Sequence, residues 1–474
     1  MNNNKTFLKI KNICCVGAGY VGGPTMALIA SKCHDIKINV VDLNQERINQ
    51  WNSDDLSNLP IYEPGLDLII KKCRNKNLFF TTDVHKSIAE ADMIFLAVNT
   101  PTKSKGIGAG QASDLKWIEA SAKQVADHAV GTTIVVEKST VPVRTAETIK
   151  QILNLSSNNI NKNQKKLKKF SVLSNPEFLS EGSAIDDLEN PDRILIGGED
   201  LFAIESLANI YKRWVDDKKI IRTNLWSSEL SKLTANAFLA QRLSSINSIA
   251  ALCESTGADV NEVSKAIGLD SRIGEKFLQS GPGFGGSCFK KDILNLIYLC
   301  NFYGLNEVAN YWKSVLDINS WTQDRISREI VFKLFGTVIG KKIAILGFSF
   351  KANTNDTRES PSIKICKNLI EEGGCLSIYD PKVEKKQIES DLGLNCSNEV
   401  KISSWIFANN IFEAAKNADA IVILTEWHEF RYIEWEKIYK IMRKPSWLID
   451  TRNIANYKKA ESFGIKIWRI GIDK

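Results

Sequence analysis

The chain predicts an α/β fold: two Rossmann-like, doubly wound lobes joined by a central all-helical segment that contains one long helix. Three observations predict it. An apolar strand, a glycine turn and a helix open the chain near Asn12. Helical patterns without strand signals fill the middle, from about Ser227 to Leu334. Alternating strand and helix patterns then resume at Lys342, the rhythm of a parallel sheet covered by helices. The domains expected are 1–222, 223–335 and 336–474, three parts in a chain of 474 residues.

The first element is the most specific. Asn12-Ile-Cys-Cys-Val16 is a short apolar strand, Gly17-Ala18-Gly19-Tyr20-Val21-Gly22 turns on its glycines, and Pro24 to Ser31 reads as helix. Strand before and helix after is the context that gives a G-x-G-x-x-G pattern meaning. Ile38-Asn-Val-Val-Asp42 is a second strand closing on an acid twenty residues after Gly22. In such a unit the helix N-terminus takes the pyrophosphate and the acid takes the ribose hydroxyls. An acid there disfavours an extra ribose phosphate, so the cofactor expected is NAD; Arg47, five residues on, softens that preference.

Further strands end in polar tips: Met93 to Asn99-Thr100-Pro101-Thr102-Lys103, and Thr133 to Ser139-Thr140. Ligands of parallel sheets meet the carboxyl ends of strands, which makes these tips cofactor contacts, with loop and cap chemistry as the competing reading. After a basic, Asn-rich stretch around 156–169, read as a solvated surface loop, comes Ser174-Asn-Pro-Glu177-Phe178-Leu179-Ser180-Glu181. Spacing alone reads Glu177 and Glu181 as a solvated helix face.

A long helix starts near Ser227 or Ser228, the expected N-cap, and runs to about Ser255. Lys232 and Asn236 share one face; spacing alone makes Lys232 an ordinary surface lysine. Arg272 lies in a turn before the glycine-dense loop Gly281-Pro-Gly283-Phe284-Gly285-Gly-Ser-Cys288. The pattern after Cys288 is helical, so the thiol stands at a helix N-terminus with Lys290 and Lys291 beside it and Asp292 one turn on. A helix dipole and nearby cations favour thiolate, which makes Cys288 a candidate nucleophile. The last third repeats strand and helix: Lys342 to Lys351, Ser360 to Glu372, Cys375 to Asp380, Ala420 to Leu424 and Trp447 to Asp450. Gly347 is followed by Phe348-Ser-Phe350, not by a G-x-G-x-x-G turn, so a second dinucleotide is not expected there.

Composition excludes several classes. Hydrophobic residues at 43% and charged residues at 25% are ordinary for a soluble globular chain. The net charge of +7 comes from dispersed lysines and does not form a nucleic-acid-binding stripe. Ten cysteines without paired spacing do not form a disulfide framework, and four histidines with no Cys-x-x-Cys offer no metal site. The first residues lack the apolar core of a signal peptide, and Val21 to Ala30 is too short and glycine-broken to cross a membrane. The expected location is cytoplasmic.

Several segments together carry a resemblance. Gly283-Phe-Gly-Gly-Ser-Cys288-Phe-x-Lys-Asp292, Ser174-Asn-Pro-Glu-Phe-Leu-Ser-Glu-Gly182, Ser139-Thr-Val-Pro-Val-Arg144, Gly347-Phe-Ser-Phe-Lys351, Asp356-Thr-Arg-Glu-Ser360 and Thr425-Glu-Trp427 stand in the order found in the UDP-glucose/GDP-mannose dehydrogenase family. The chain resembles the UDP-glucose 6-dehydrogenases of that family from Gly17 to about Arg452. The resemblance implies two-step oxidation of the C6 alcohol of UDP-glucose to a carboxylate, with NAD, through a thiohemiacetal and a thioester on Cys288. It implies that Lys232 steadies oxygen charge, that Asp292 and Glu177 handle protons and water, that Asn236 bridges Lys232 and substrate, and that Thr140 belongs to the catalytic set. These roles replace the spacing-based readings of Lys232 and Glu177.

Implied cofactor contacts are Gly17 to Gly22, Asp42, Arg47, Asn99 to Lys103, Ser139, Thr140, Val141, Glu181, Cys288, Lys291 and Arg358. Implied substrate contacts are Glu177 to Glu181, Lys232, Asn236, Gln279, Gly283, Phe284, Gly285, Phe350, Lys351 and Arg452, with Arg272 reaching across from a neighbouring subunit. A homo-oligomer follows, at least a dimer, with a hexamer as the larger assembly. The stretch around 156–169 resembles an insertion between family blocks. Two alternatives remain beside UDP-glucose: a sister enzyme acting on GDP-mannose or a UDP-N-acetylhexosamine, and a silent nucleotide-sugar-binding protein. Intact Cys288, Lys232, Asp292 and Glu177 speak against the silent copy.

Overall fold

A computed structural model describes residues 7–158, 168–397 and 399–472; most of the stretch read as an insertion, 159–167, lies outside the described residues. The chain divides into two compact units, Met1–Ala235 with Leu294–Leu299 and Asn236–Ile293 with Cys300–Lys474.

The first unit is built on eight strands: β1 Asn12–Val16, β2 Lys37–Val41, β3 Leu78–Thr81, β4 Met93–Leu96, β5 Thr132–Glu137, β6 Lys169–Ser174, β7 Ile194–Gly198 and β8 Ile220–Thr223. Their order is β3-β2-β1-β4-β5-β6-β7-β8, parallel except for the antiparallel β6–β7 pair. The first six repeat the 3-2-1-4-5-6 order of doubly wound dinucleotide-binding sheets. β4 is buried at every position, as a parallel strand covered on both faces must be. Met26, Trp51, Phe80 and Tyr211 belong to one core cluster, and Ile118, Val125, Ile149 and Leu153 to another. Trp51 stacks on Phe80 at 4.6 Å, and its indole N–H donates to Ala18 O at 3.0 Å. That bond ties the helix Gln45–Trp51 to the glycine turn; losing a ring so fully buried would cost about 3–5 kcal/mol.

Among the described residues four helices follow in the middle of the chain: Leu225–Thr256, Val260–Gly268, Phe289–Phe302 and Asn306–Lys333. The first begins earlier than its serines suggest. Asn224 accepts from Ser227 N–H at 2.8 Å and caps the end, while Ser228 is fully buried in the first turn. Asn224 is as good a cap residue as serine, and the apolar Leu225 beside it gave the pattern no sharp start.

The second unit carries β9 Lys342–Leu346, β10 Cys375–Tyr379, β11 Ser404–Phe407, β12 Ala420–Ile423, β13 Trp447–Asp450 and β14 Lys466–Arg469. All pairs are parallel, in the order β11-β10-β9-β12-β13-β14. This is the same 3-2-1-4-5-6 arrangement as in the first unit. Ser360 caps the helix Pro361–Glu371, with Pro361 at a helix-start position. No described helix is long and apolar enough to cross a membrane.

Candidate active site

In the first unit, β1 and β2 are in register from Asn12↔Lys37 to Val16↔Val41, so the glycine turn and Asp42 emerge at the same sheet end. Gly17 N–H donates to Val41 O at 2.8 Å. Gly17 has φ +109°, and a Cβ there would run into Ala97 O, so only glycine makes this turn. At Gly19, by contrast, no atom lies within 4 Å of where a Cβ would stand. The helix Gly22–Lys32 begins without a side-chain cap and without an acid in its first turn. Open space over the turn and an electropositive helix end fit a bound pyrophosphate. Asp42 accepts from Ala18 N–H and Arg47 Nη1, both at 3.0 Å, and from Asn44 N–H at 3.0 Å. These bonds fix the carboxylate in place, and Arg47 is engaged with it.

The polar strand tips are tied to each other. Thr100 Oγ1 donates to Thr140 O at 2.8 Å, and Ser139 Oγ to Val98 O at 2.7 Å. Val141 is buried and Asn99 exposed; Thr102 bridges to Ser113, and Lys103 donates to Ile107 O. Pro101 O accepts from Asp114 N–H at 2.7 Å.

Glu177 and Lys232 correct the reading from spacing. Residues 175–180 are irregular rather than helical, and the two side chains are only 6% and 5% exposed, with Lys232 Nζ 3.7 Å from Glu177 Oε1. Their burial comes from tertiary packing of a coil against a helix, which no i, i+4 pattern reports. Phe178 has the Arg193 guanidinium over its ring at 3.9 Å and Lys232 Nζ at 5.3 Å. Leu179 N–H donates to Glu177 Oε2 at 3.3 Å, and Ser180 N–H to Asp187. Glu181 is half-buried, in the turn before Gly182.

In the second unit Cys288 immediately precedes the helix Phe289–Phe302 and accepts from Asp292 N–H at 2.9 Å, which puts the positive helix end at the thiol. Its Sγ lies 3.4 Å from Ser287 Oγ. Of the ten cysteines, only Cys288 and Cys396 are not buried. Burial pushes the Cys14 thiol up to about 12 and Cys33 to about 11, which leaves them poor nucleophiles. The two lysines beside Cys288 are engaged with carboxylates: Lys290 with Glu359 at 2.8 Å and Lys291 with Asp292 at 3.9 Å. Asp292, 1% exposed, accepts from Asn236 Nδ2 at 2.6 Å.

The glycine loop is clamped by its own chain. Asn247 Oδ1 accepts from Gly281 N–H, and Asn319 pairs with both backbone groups of Phe284. Gly283 sits at φ +115°, where a Cβ would stand 2.6 Å from Asn319 Oδ1. Gly285 Cα faces the backbone of Glu359. Arg452 donates to Leu424 O and Phe350 O and pairs with Glu426 at 3.1 Å; Lys351 Nζ lies 5.5 Å from the Phe350 ring centroid. Arg358 is paired with Asp356, Gln279 is exposed, and Arg272 is exposed and bonded to Asp270.

The second sheet shows why its turn differs. Gly347 N–H donates to Tyr379 O at 2.8 Å, the counterpart of Gly17 on Val41. At the position matching Asp42 stands Asp380, whose carboxylate accepts from Phe348 N, Ser349 N, Ser349 Oγ, Trp427 Nε1, Lys382 N and Val383 N. It is consumed by the protein, and Trp427 of the Thr425-Glu-Trp427 motif is one of its donors.

Residues that pattern reading passed over complete the picture. Glu63, buried, accepts from Gly182 N–H at 2.7 Å and Ala184 N–H at 3.1 Å, anchoring the end of the Glu177–Glu181 segment. Glu229 accepts from Arg144 N–H and Ala146 N–H, both at 2.7 Å, and burial raises it to about 7. Lys138 and Asn175 lie buried beside Glu177 in sequence or in space. Charged residues ending an apolar strand, Glu137-Lys138, were the one local signal for this cluster. No group of His, Cys, Asp and Glu among the described residues could hold a metal ion.

Three sequence models of one family match successive parts of the chain: the NAD binding domain of the UDP-glucose/GDP-mannose dehydrogenase family at 11–215, its central domain at 226–321 and its UDP binding domain at 344–457. "UDP-glucose 6-dehydrogenase 2" of Arabidopsis thaliana is 53% identical over 97% of this chain and 96% of its own. "UDP-glucose 6-dehydrogenase" of Drosophila melanogaster is 54% identical over 97% of this chain and 96% of its own. The structure of a UDP-glucose dehydrogenase from Pyrobaculum islandicum superposes with a TM-score of 0.82, at 28% identity, covering 100% of both chains. That of a UDP-D-ManNAc dehydrogenase from Pyrococcus horikoshii gives 0.77 at 25% identity, over 97% of this chain and 99% of that one.

Proposed function

The chain belongs to the UDP-glucose/GDP-mannose dehydrogenase family, and on that premise we infer that it is an NAD-dependent oxidoreductase converting UDP-glucose to UDP-glucuronate. One observation carries the choice of sugar: relatives named for UDP-glucose are 53% and 54% identical over nearly the whole chain. A relative named for UDP-D-ManNAc is 25% identical.

When bound, NAD supplies the hydride acceptor for the sugar C6 carbon. The glycine turn, Asp42 and the tips of β4 and β5 would hold it. The chain's own residues do the rest. Lys232 stabilises negative charge on the substrate oxygen. Once C6 is an aldehyde it carries no hydride that leaves readily, and the Cys288 thiolate adds to its carbonyl to form a thiohemiacetal. Oxidation of that adduct leaves a thioester; water then attacks the carbonyl carbon, the C–S bond breaks, and the acid and free thiol are released. Asp292 and Glu177 take and return the protons of these steps. Asn236, hydrogen-bonded to Asp292, orients it.

The second sheet, with Phe350, Lys351 and Arg452 at its strand ends, binds the UDP moiety. Self-association is at least dimeric, with a hexamer as the larger form; Phe238 and Leu252, 55% and 58% exposed on the long helix, and Arg272 support it. Ten cysteines spaced without the pairing of a disulfide framework support a reducing, cytoplasmic location. The test is NADH formed per UDP-glucose consumed, with GDP-mannose and UDP-N-acetylglucosamine run alongside. About two NADH per UDP-glucose, and little from the others, is expected for an alcohol-to-acid oxidation; one NADH with accumulated aldehyde would remove the role given to Cys288.

A further inference from the structure

Glu137 ends β5 and Lys138 follows it, and neither reaches solvent; they are 1% and 3% exposed. An ammonium carries three donors, and burying it unpaired is unfavourable. Yet Lys138 makes a single hydrogen bond among the described residues, to Asn175 Oδ1 at 3.3 Å. Among the described residues no carboxylate sits against it as a salt-bridge partner. Its charge is met at longer range, most strongly by Glu177, with Glu137 and Cys15 contributing less and Lys232 opposing. Burial pushes the Glu137 carboxyl well above the carboxylate range.

Asn175 makes this lysine's position count. Its Nδ2 donates to Leu195 O at 2.7 Å, and its Oδ1 also accepts from Tyr211 OH at 2.6 Å. Asn175 is therefore fixed at three points, two residues before Glu177 in Asn175-Pro-Glu177.

We propose that Lys138 is a positioning residue for the oxidation: it secures the Asn175-Pro-Glu177 segment and supplies a second buried positive charge, besides Lys232, to Glu177. The proposal rests on Glu177 being a carboxylate that handles protons or water, as above. An opposite charge nearby favours the charged form of a group, so removing the Lys138 ammonium eases proton uptake by its carboxylate neighbour. A lysine that merely filled space would be replaceable by any side chain of similar shape.

The experiment compares the full-length protein with Lys138→Met, Lys138→Gln and Lys138→Arg, using NAD binding by calorimetry, melting temperature, and kcat and KM for UDP-glucose against pH. Lys138→Gln keeps length and polarity, so it reports even where the apolar variant does not fold. The expected result is a kcat lowered about tenfold to a hundredfold in the neutral variants, with NAD binding kept. The acidic limb of their kcat profile moves up by about one pH unit, and Lys138→Arg restores both rate and limb. Folded neutral variants with an unchanged rate and limb would overturn the proposal. So would a rate lost together with NAD binding while the limb stays put and arginine fails to rescue, since that is a structural role. Glu177→Gln is run alongside: if it turns over normally, the role of Glu177 is wrong, whereas if it is inactive while the Lys138 variants are unaffected, only Lys138 is wrong.

Discussion

Asn236 donates a 2.6 Å hydrogen bond to Asp292, joining residues on two different helices, both buried. A short bond from a neutral amide to a carboxylate is one of the stronger kinds. Asn236→Ala leaves a buried carboxylate short of a donor and should lower stability by about 1–3 kcal/mol, seen as a lower melting temperature. Turnover should fall further than that loss accounts for, because Asp292 is no longer oriented. An alanine variant with an unchanged melting temperature would mean that the bond contributes nothing.

Cys288 should be the site of both chemistry and labelling. Cys288→Ala is expected to form no UDP-glucuronate while binding NAD normally. Under native conditions iodoacetamide should modify Cys288 and Cys396, the two cysteines that are not buried, and only Cys396 in the variant. Peptide mass mapping decides it, and modification of Cys14 or Cys15 would contradict the burial described.

Asp42→Asn should weaken NAD binding by about tenfold to a hundredfold, the worth of one charge-assisted hydrogen bond. The amide keeps size but presents an N–H where the ribose hydroxyls need an acceptor, and it releases Arg47. Unchanged affinity by calorimetry would move the ribose elsewhere.

Glu229 gives stability a pH dependence of definite sign. Its ordinary value of 4.5 is raised to about 7, chiefly by burial. Between those values the folded chain holds a proton that the unfolded chain has released. The stability from this group is therefore complete below about 4.5 and lost as pH rises through about 7, at most about 3 kcal/mol. Glu229→Gln cannot titrate, so denaturant midpoints between pH 5 and pH 8 should fall less steeply in that variant.

What could be read without coordinates was whatever has a local cause. The Gly17–Gly22 turn, Asp42 closing β2 and Cys288 at a helix start each follow from backbone geometry that a few neighbouring residues dictate. Burial has no such local signature. Glu177 and Lys232 look like surface residues by spacing because the contact that buries them spans 55 positions of sequence. The same holds for Glu63, whose bonds to Gly182 and Ala184 cross more than a hundred residues. The Asn224 cap was local but ambiguous, since two serines beside it satisfy the same rule.

The six hydrogen bonds on Asp380 set a limit on redesign. Grafting a Gly-x-Gly-x-x-Gly turn after β9 would reproduce the shape of the first sheet's glycine turn without reproducing a carboxylate placed like Asp42, because Asp380 already fastens the Phe348–Ser349 turn, Trp427 and the backbone at Lys382 and Val383. A variant seeking a second dinucleotide would first have to dismantle the fastening that shapes this end of the sheet. Two sheets that share a 3-2-1-4-5-6 order are thus not interchangeable parts.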